Sequence, residues 1–327
     1  MKKVLFAAIV TAALVFQFSC KPKGGGSSGD ENVYVYSFAR VGILSPDDSK
    51  KMVEKFLGTT DTGPLYKSAE NTVYFTSKDD VTATFEHDLD TGNFTFNKGM
   101  KKYLGDYAPR LPSKDAAIKA TEDFLSKNEL LPKDRSQLKL VHFGGIRSNS
   151  VIDGKNAGPV TDKLVTITYG RVVDGLPVIG PGSKLVANVG EEGELVGLVH
   201  RWRELDAQTK KQVQREEMLS QQEAEEMARR QIQHEYGQDI SYKILGSGKA
   251  YYDNNGKILQ PVYTFETEIK LKDEHVKPFT YLCVIEMLKQ SPEPLQLTAV
   301  DPKAKELIKS IRRGEQVPSA PEKDADD

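Results

Sequence analysis

Cysteine is scarce in this 327-residue chain: only Cys20 and Cys283 occur. That excludes a disulfide-stapled scaffold, and Cys283, inside the apolar run TyrLeuCysValIle (281–285), reads as a buried and inert core thiol. Net charge is also scarce. Forty-five Lys and Arg against 47 Asp and Glu leave a net charge of -2, which gives no pull toward nucleic acid. Basic residues are interleaved with acidic ones, as in LysLysMetValGluLys (50–55), the pattern of a solvated helix face. The five histidines (His87, His142, His200, His234, His275) show no metal-ligand spacing. His234–Glu235 is followed by TyrGlyGln instead of the second His of HExxH, and there is no Walker loop, Rossmann fingerprint or GxSxG. GlyGlyIle (144–146) and GlySerGly (246–248) read as loop glycines. These absences point away from an enzyme and imply no cofactor and no metal.

Two patterns imitate chemistry. Asp61–Thr62–Gly63 and Asp90–Thr91–Gly92 share the triplet of aspartic proteases, but 29 residues leave no room for a lobe between them, so both read as turns. AspLeuAspThrGlyAsn (88–93) has its Gly at the fifth position and Gly99 at the twelfth, where a calcium loop wants Gly at the sixth and Glu at the twelfth.

What is present begins at the N-terminus. Lys2 and Lys3 precede an apolar run from Val4 to Phe18, then Ser19 and Cys20. This is a secretory signal, too short for a spanning helix. It resembles a bacterial lipoprotein signal, in which a small residue precedes a lipidated cysteine, although Gln17 stands where Leu is usual. The other reading is an ordinary signal cleaved nearby, for example after Ala13. Residues 21–30, LysProLysGlyGlyGlySerSerGlyAsp, form a flexible tether with a reach of roughly 15–20 Å. The localisation expected is a lipid-anchored protein of the cell envelope, or a secreted one if Cys20 is not lipidated.

Three segments then open alike: residues 45–57, 113–125 and 220–232 each start with a Ser suited to cap a helix. Ser220 with Glu223 makes a capping box and Ser45 with Asp48 a poorer one. Apolar residues at offsets seven, eight and twelve (Met52, Val53, Leu57; Ala120, Leu125; Met227, Ala228, Ile232) mark one helix face. Strand-like runs follow each helix: 72–76, 81–86 and 94–96; 138–143; then 241–245, 249–252, 262–269 and 279–285. The pattern predicts an α+β fold of repeated units, one helix packed on an antiparallel β-meander. The boundaries expected are a signal at 1–20, a tether at 21–32, units at 33–110, 111–206 and 207–300, and a short helix (302–311) with an acidic, disordered tail within 301–327.

The segment 165–202 reads as a strand, a turn carrying DGLPVIG, a second strand, a turn at GEEGE and a third strand. Within it, residues 174–197 resemble the propeptides of thermolysin-like secreted metalloproteases, where a GxPV turn leads to a strand, a Gly-rich acidic turn and a GxVxG-like strand. Helix 220–232 and LeuGlnProValTyrThrPheGlu (259–266) resemble the PepSY domain that follows, so the likeness to FTP/PepSY-type, cystatin-like units spans roughly residues 112–290. The resemblance implies a stand-alone, non-enzymatic protein that binds a protein partner, as inhibitor or chaperone of a secreted or envelope protease. The expected mechanism is edge-strand addition or surface masking. The alternative is a small-molecule-binding or envelope-assembly lipoprotein. The partner-binding candidates are Trp202 with His200, Arg201 and Arg203: alternation places His200 and Trp202 on one strand face and the arginines on the other. Trp202 closing the edge of the core is the other reading.

Overall fold

Ser45, Ser113 and Ser220 each start a helix by accepting a backbone N–H three residues on. The helices are α1 (Pro46–Leu57), α2 (Lys114–Lys127) and α3 (Gln221–Tyr236), and both Ser45–Asp48 and Ser220–Glu223 form complete capping boxes. The computed structural model describes residues 32–60, 65–68, 71–105, 107–149, 151–152, 155–156, 160–237, 240–272 and 276–295. The signal, Cys20, the tether, Asp61–Thr62–Gly63, His275, the 302–311 helix and the acidic tail lie outside the described residues. No helix among those described is long and apolar enough to cross a membrane.

The helix phase differs from the expected one in an instructive way. Fully buried positions fall at offsets four and eight in all three helices: Ser49 and Val53, Ala117 and Thr121, Ala224 and Ala228. In α2 and α3 the stripe continues at offset twelve with Leu125 and Ile232. Offset four carries only Ser or Ala, because a helix lying close over a sheet leaves no space for a larger side chain. At offset seven the helices differ: Met52 packs partly buried against the core, whereas Met227 is 37% exposed.

Sixteen strands accompany the helices among the described residues. They are β1 (Tyr34–Ser37), β2 (Tyr66–Lys67), β3 (Thr72–Thr76), β4 (Thr84–Asp88), β5 (Phe94–Asn97), β6 (Leu138–Ser148), β7 (Val151–Ile152) and β8 (Lys155–Asn156). The rest are β9 (Thr161–Val173), β10 (Leu176–Ile179), β11 (Lys184–Val189), β12 (Leu195–Arg201), β13 (Lys211–Gln212), β14 (Ser241–Tyr252), β15 (Ile258–Lys270) and β16 (Phe279–Glu286). The glycines at 144–145 and 246–248 lie inside β6 and β14, so they are strand glycines and not loop ones. Register shifts beside Gly246 and two residues before Gly144 fit the bulges that strand glycines accompany.

The α+β class holds, with one large mixed sheet and three helices, mostly strand. The strands do not divide into one meander per helix. β5 pairs with β12, matching Phe96 to Leu198, so the meander after α1 continues into the β12–β11–β9–β6 sheet. α1 and α2 consequently share one core, in which Val53, Phe56, Phe96 and Leu125 meet Ile167, Leu185 and Leu198. Phe56 stacks on Phe94 and Phe96 at 5.4 and 5.1 Å. A second core lies under α3, where Ala224 and Ala228 pack on Phe265, Cys283 and Ile285. The first described strand joins that second body: β1 pairs with β15 and β13, not with β2–β5.

Candidate functional site

The segment 165–202 holds one more strand than its sequence suggested. Asp174 and Gly175, at φ 49° and 79°, form the tight turn, and β10 folds back antiparallel on β9. β10 then runs parallel to the end of β14, pairing Val178 with Tyr251 and Ile179 with Tyr252. DGLPVIG is therefore the strap between the two bodies. Asp174 fastens it further, accepting hydrogen bonds from the hydroxyls of Tyr36 and Tyr251 and from Lys210.

Behind the strap lies a buried polar network. Arg171 on β9 is 1% exposed and donates to Ser183 Oγ at 3.2 Å and to the Arg203 carbonyl at 2.7 Å. Ser183 donates to Asp253 Oδ2 at 2.7 Å, and Arg203 forms an ion pair with Asp253 Oδ1 at 3.1 Å. Burial pushes the Arg171 guanidinium down to about 10, with Asp253 the leading opposing charge. The guanidinium lies 4.0 Å from the Trp202 ring, and that of Arg203 lies 3.7 Å from Phe38.

These contacts relocate the partner-binding candidates. Trp202 is 8% exposed and belongs to the core under α1 and α2, so it closes that core and presents no surface anchor. Arg203, 9% exposed, is committed to Asp253 and the Gly256 carbonyl. His200 stacks on Phe94 at 4.9 Å and holds the Leu130 carbonyl at 3.2 Å from Nε2. Burial drives its pKa down to about 4. Arg201 is half-buried at the end of β12, paired across the strands with Lys184. The expected alternation fails because the strand ends at Arg201 and the chain turns inward, burying both Trp202 and Arg203.

Two of the features open to a partner adjoin β6. Among the described residues, β6 pairs only with β9, so its other edge is free over eleven residues. Leu140 and Ile146 on it are 41% and 43% exposed. Register shifts at Leu140/His142 and Ile146/Arg147 bracket a regular stretch from His142 to Ile146. The second feature is a groove of about 490 Å³ between the 178–184 segment, β16 and the outer face of β6 and β9. Its walls are mainly apolar, with Val141, Val178, Ile179, Pro181, Leu282 and Val284, and Lys184 is the one charged residue lining it.

No family model matches the chain, and no curated protein matches it either. Among the solved structures that resemble it weakly are the following two. An uncharacterized protein from Eubacterium rectale ATCC 33656 shares 8% identity at a TM-score of 0.42, covering 81% of this chain and 87% of that one. The Bacillus megaterium YpeB C-terminal domain shares 14% identity at a TM-score of 0.31, covering 76% of this chain and 95% of that one.

The remaining sequence signals fall in structural places. Asp88 accepts from the backbone N–H groups of Asp90 and Thr91, so Asp90–Thr91–Gly92 is a hairpin turn held by its own aspartate. His87 is buried with Nδ1 2.9 Å from Ser49 Oγ, and burial lowers its pKa. His142 lies on β6, and His234 in the last turn of α3. Cys283 is a free, buried thiol that burial pushes up to about 12, which keeps it protonated and unreactive. Among the described residues no group of three or more His, Cys, Asp or Glu is placed to hold a metal ion. The reading from sequence missed Arg171, Ser183, Lys184 and Asp253. One signal was available: an arginine inside the apolar strand ThrIleThrTyrGlyArgValVal (166–173) must be buried, and a buried guanidinium requires acceptors.

Proposed function

We propose that this chain is a non-enzymatic envelope lipoprotein that binds a protein partner, a secreted or envelope protease that it inhibits or chaperones, by accepting an extended segment along β6. The observation that carries this reading is the eleven-residue edge of β6 that no strand covers among the described residues, with Leu140 and Ile146 exposed. Unpaired N–H and C=O groups on such an edge bind a strand of any sequence, and flanking apolar side chains select among sequences. The His142–Ile146 stretch matches the five or six residues of an average strand. The likeness of residues 112–290 to FTP/PepSY-type propeptide units supports a protein as the thing bound. The signal-like N-terminus with Ser19–Cys20 and the following tether supports an anchor that holds the folded part off a membrane.

Mixed with a panel of secreted and envelope metalloproteases, the chain should co-elute with at least one and slow it. Leaving the whole panel unbound and uninhibited overturns the protease reading. Leu140→Lys with Ile146→Lys should weaken that binding about tenfold or more at little cost in stability, since both side chains are exposed. Unchanged affinity in this variant would move the interface away from β6. Mass spectrometry of the native N-terminus reads the anchor directly: an unmodified Cys20 removes it.

A second reading, a small-molecule-binding envelope lipoprotein, is supported by the groove beside Lys184.

A further inference from the structure

The groove beside the strap has fixed walls. Gly182 donates to the Asp253 carbonyl at 3.1 Å and Asp253 donates to the Ile179 carbonyl at 2.9 Å, which pins the 179–182 loop to the 253 turn. A Cβ on Gly180 would fall 2.4 Å from the Asp253 carbonyl oxygen, so only glycine fits there. Val141 of β6 lines one side and Leu282 and Val284 of β16 the other, so the walls come from both bodies. Most of the polar lining is already engaged. Ser183 donates to Asp253, the Tyr281 hydroxyl accepts from Gln231, Lys184 has its partner within the fold, and Thr280 is exposed to water. The Tyr252 ring lies against Gly180. Such a lining suits an occupant that brings apolar side chains and satisfies its own backbone groups, which is what one face of a helix does.

The chain itself carries such a face close by. Residues 302–311 lie outside the described residues, and their sequence reads as a helix: Asp301 and Pro302 suit its start, Arg312, Arg313 and Gly314 its end. Ala304, Leu307, Ile308 and Ile311 fall at i, i+3, i+4 and i+7, one apolar stripe, with Lys303, Lys305 and Lys309 off it. A helix this short is marginal in water unless its stripe is covered. Leu295, the last described residue, sits at the border of the groove. Glu286 shares with Thr280, Leu282 and Val284 the face of β16 turned away from α3, and its carboxylate accepts from the Leu295 N–H. The seven residues from Leu295 to Pro302 can span up to about 25 Å, several times the two-residue step from Glu286 back to Val284. Charge agrees as well. Glu266 and Glu268 on β15 are exposed and stand opposite Leu282 and Thr280, while residues 303–313 carry five Lys and Arg against one Glu. Glu268 also faces Lys243 on β14, so Glu266, whose neighbour there is Gly246, is the stronger attraction.

We propose that residues 302–311 fold as an amphipathic helix that seats Leu307, Ile308 and Ile311 in this groove and turns its lysines toward Glu266. Seated there, the segment braces the two bodies through a second contact beside the strap and closes the groove to small molecules. The inference does not depend on strand addition at β6, and it competes with the second reading above for the same walls.

The test is hydrogen exchange of the full chain, read peptide by peptide. Residues 303–311 should exchange about tenfold or more slowly than the same residues in a free 300–314 peptide. Leu307→Lys with Ile308→Lys, both outside the packed cores described above, should return the segment to the free-peptide rate and speed exchange at 280–284. From the groove side, Leu282→Lys, at a position 39% exposed and therefore tolerant of a charge, should release the segment in the same way. Glu266→Lys should speed its exchange by a smaller factor. A segment that exchanges at the free-peptide rate in the unaltered chain overturns the proposal. Protection that survives Leu282→Lys, in a variant whose thermal melt shows it folded, places the helix elsewhere and overturns it too. Protection that fades on dilution would put the helix in the groove of a second copy and overturn the intramolecular assignment. Unchanged exchange at 280–284 when Leu307 and Ile308 are replaced removes the groove as the seat, whatever the fate of Leu282→Lys.

Discussion

His200 shows how burial of one side chain sets a pH dependence for the whole protein. Its ring is stacked on Phe94, and burial holds its pKa down to about 4, against 6.5 for an exposed imidazole. Between those values the unfolded chain binds a proton that the folded chain refuses. The stabilisation from keeping His200 neutral is therefore complete above about pH 6.5 and is lost progressively as the pH falls toward 4. The loss is roughly 3 kcal/mol. His87, whose pKa burial also lowers, acts in the same direction. Urea midpoints should fall steadily as the pH drops from about 7 to about 4.5, and His200→Phe, which keeps the ring stack, should flatten most of that slope. An equally steep slope in the variant would assign the acid sensitivity to other groups. Little of this was legible beforehand. His200 drew notice in the sequence because Trp202 and two arginines flank it, yet a string of residues does not tell an exposed cluster from one folded inward. Arg171 could be suspected of burial from its apolar flanks, but its partners, Ser183 and the Arg203 carbonyl, come from other parts of the chain.

At the level of elements, local rules carried most of the information. A serine cap, an acidic residue three positions on and an Asp-Gly turn are decided within a few residues, and the structure places α1, α2, α3 and the β9–β10 turn where those signals stand. The helix phase was harder. Met227 was expected inward for its apolarity, whereas the sheet requires small residues on the near face, and Ala224 and Ala228 meet that need. The caps offer a clean test because they are exposed and contribute little to packing. Ser220 accepts from the Glu223 N–H while the Glu223 carboxylate accepts from the Ser220 N–H at 2.7 Å. Ser220→Ala should lower stability by about 1 kcal/mol, and Ser220→Asp should retain most of it. Ser113→Ala, in a cap without the reciprocal carboxylate, should cost less. Equal losses at both sites in urea denaturation would show that the box adds nothing to the single bond.

On the scale of the molecule, strand pairing distant in sequence decides what folds with what, and no local signal records it. Phe96 pairs with Leu198 and Tyr36 with Leu259, so helix-and-strand units drawn along the sequence do not coincide with the bodies that share cores. The consequence is sharpest at β1. Val33 lies in the core under α3, while Tyr36 and Phe38 pack with Val178, Tyr251 and Leu259. Tyr36 also meets Tyr251 edge-on at 5.8 Å and donates to Asp174, so this one strand links β15 to the turn of the strap. Truncating a buried aromatic costs about 3–5 kcal/mol. Tyr36→Ala should therefore weaken the α3 body and the strap, although the residue lies close in sequence to α1. The core under α1 and α2 makes no use of β1, and the strap joins the bodies by only two paired residues on β14. Native-state hydrogen exchange should accordingly show protection falling in β14, β15 and β16 of Tyr36→Ala while β3, β4 and β5 keep theirs. An equal fall in both sets would mean that the network of Arg171, Arg203 and Asp253 couples the bodies tightly enough for the chain to open as a single unit.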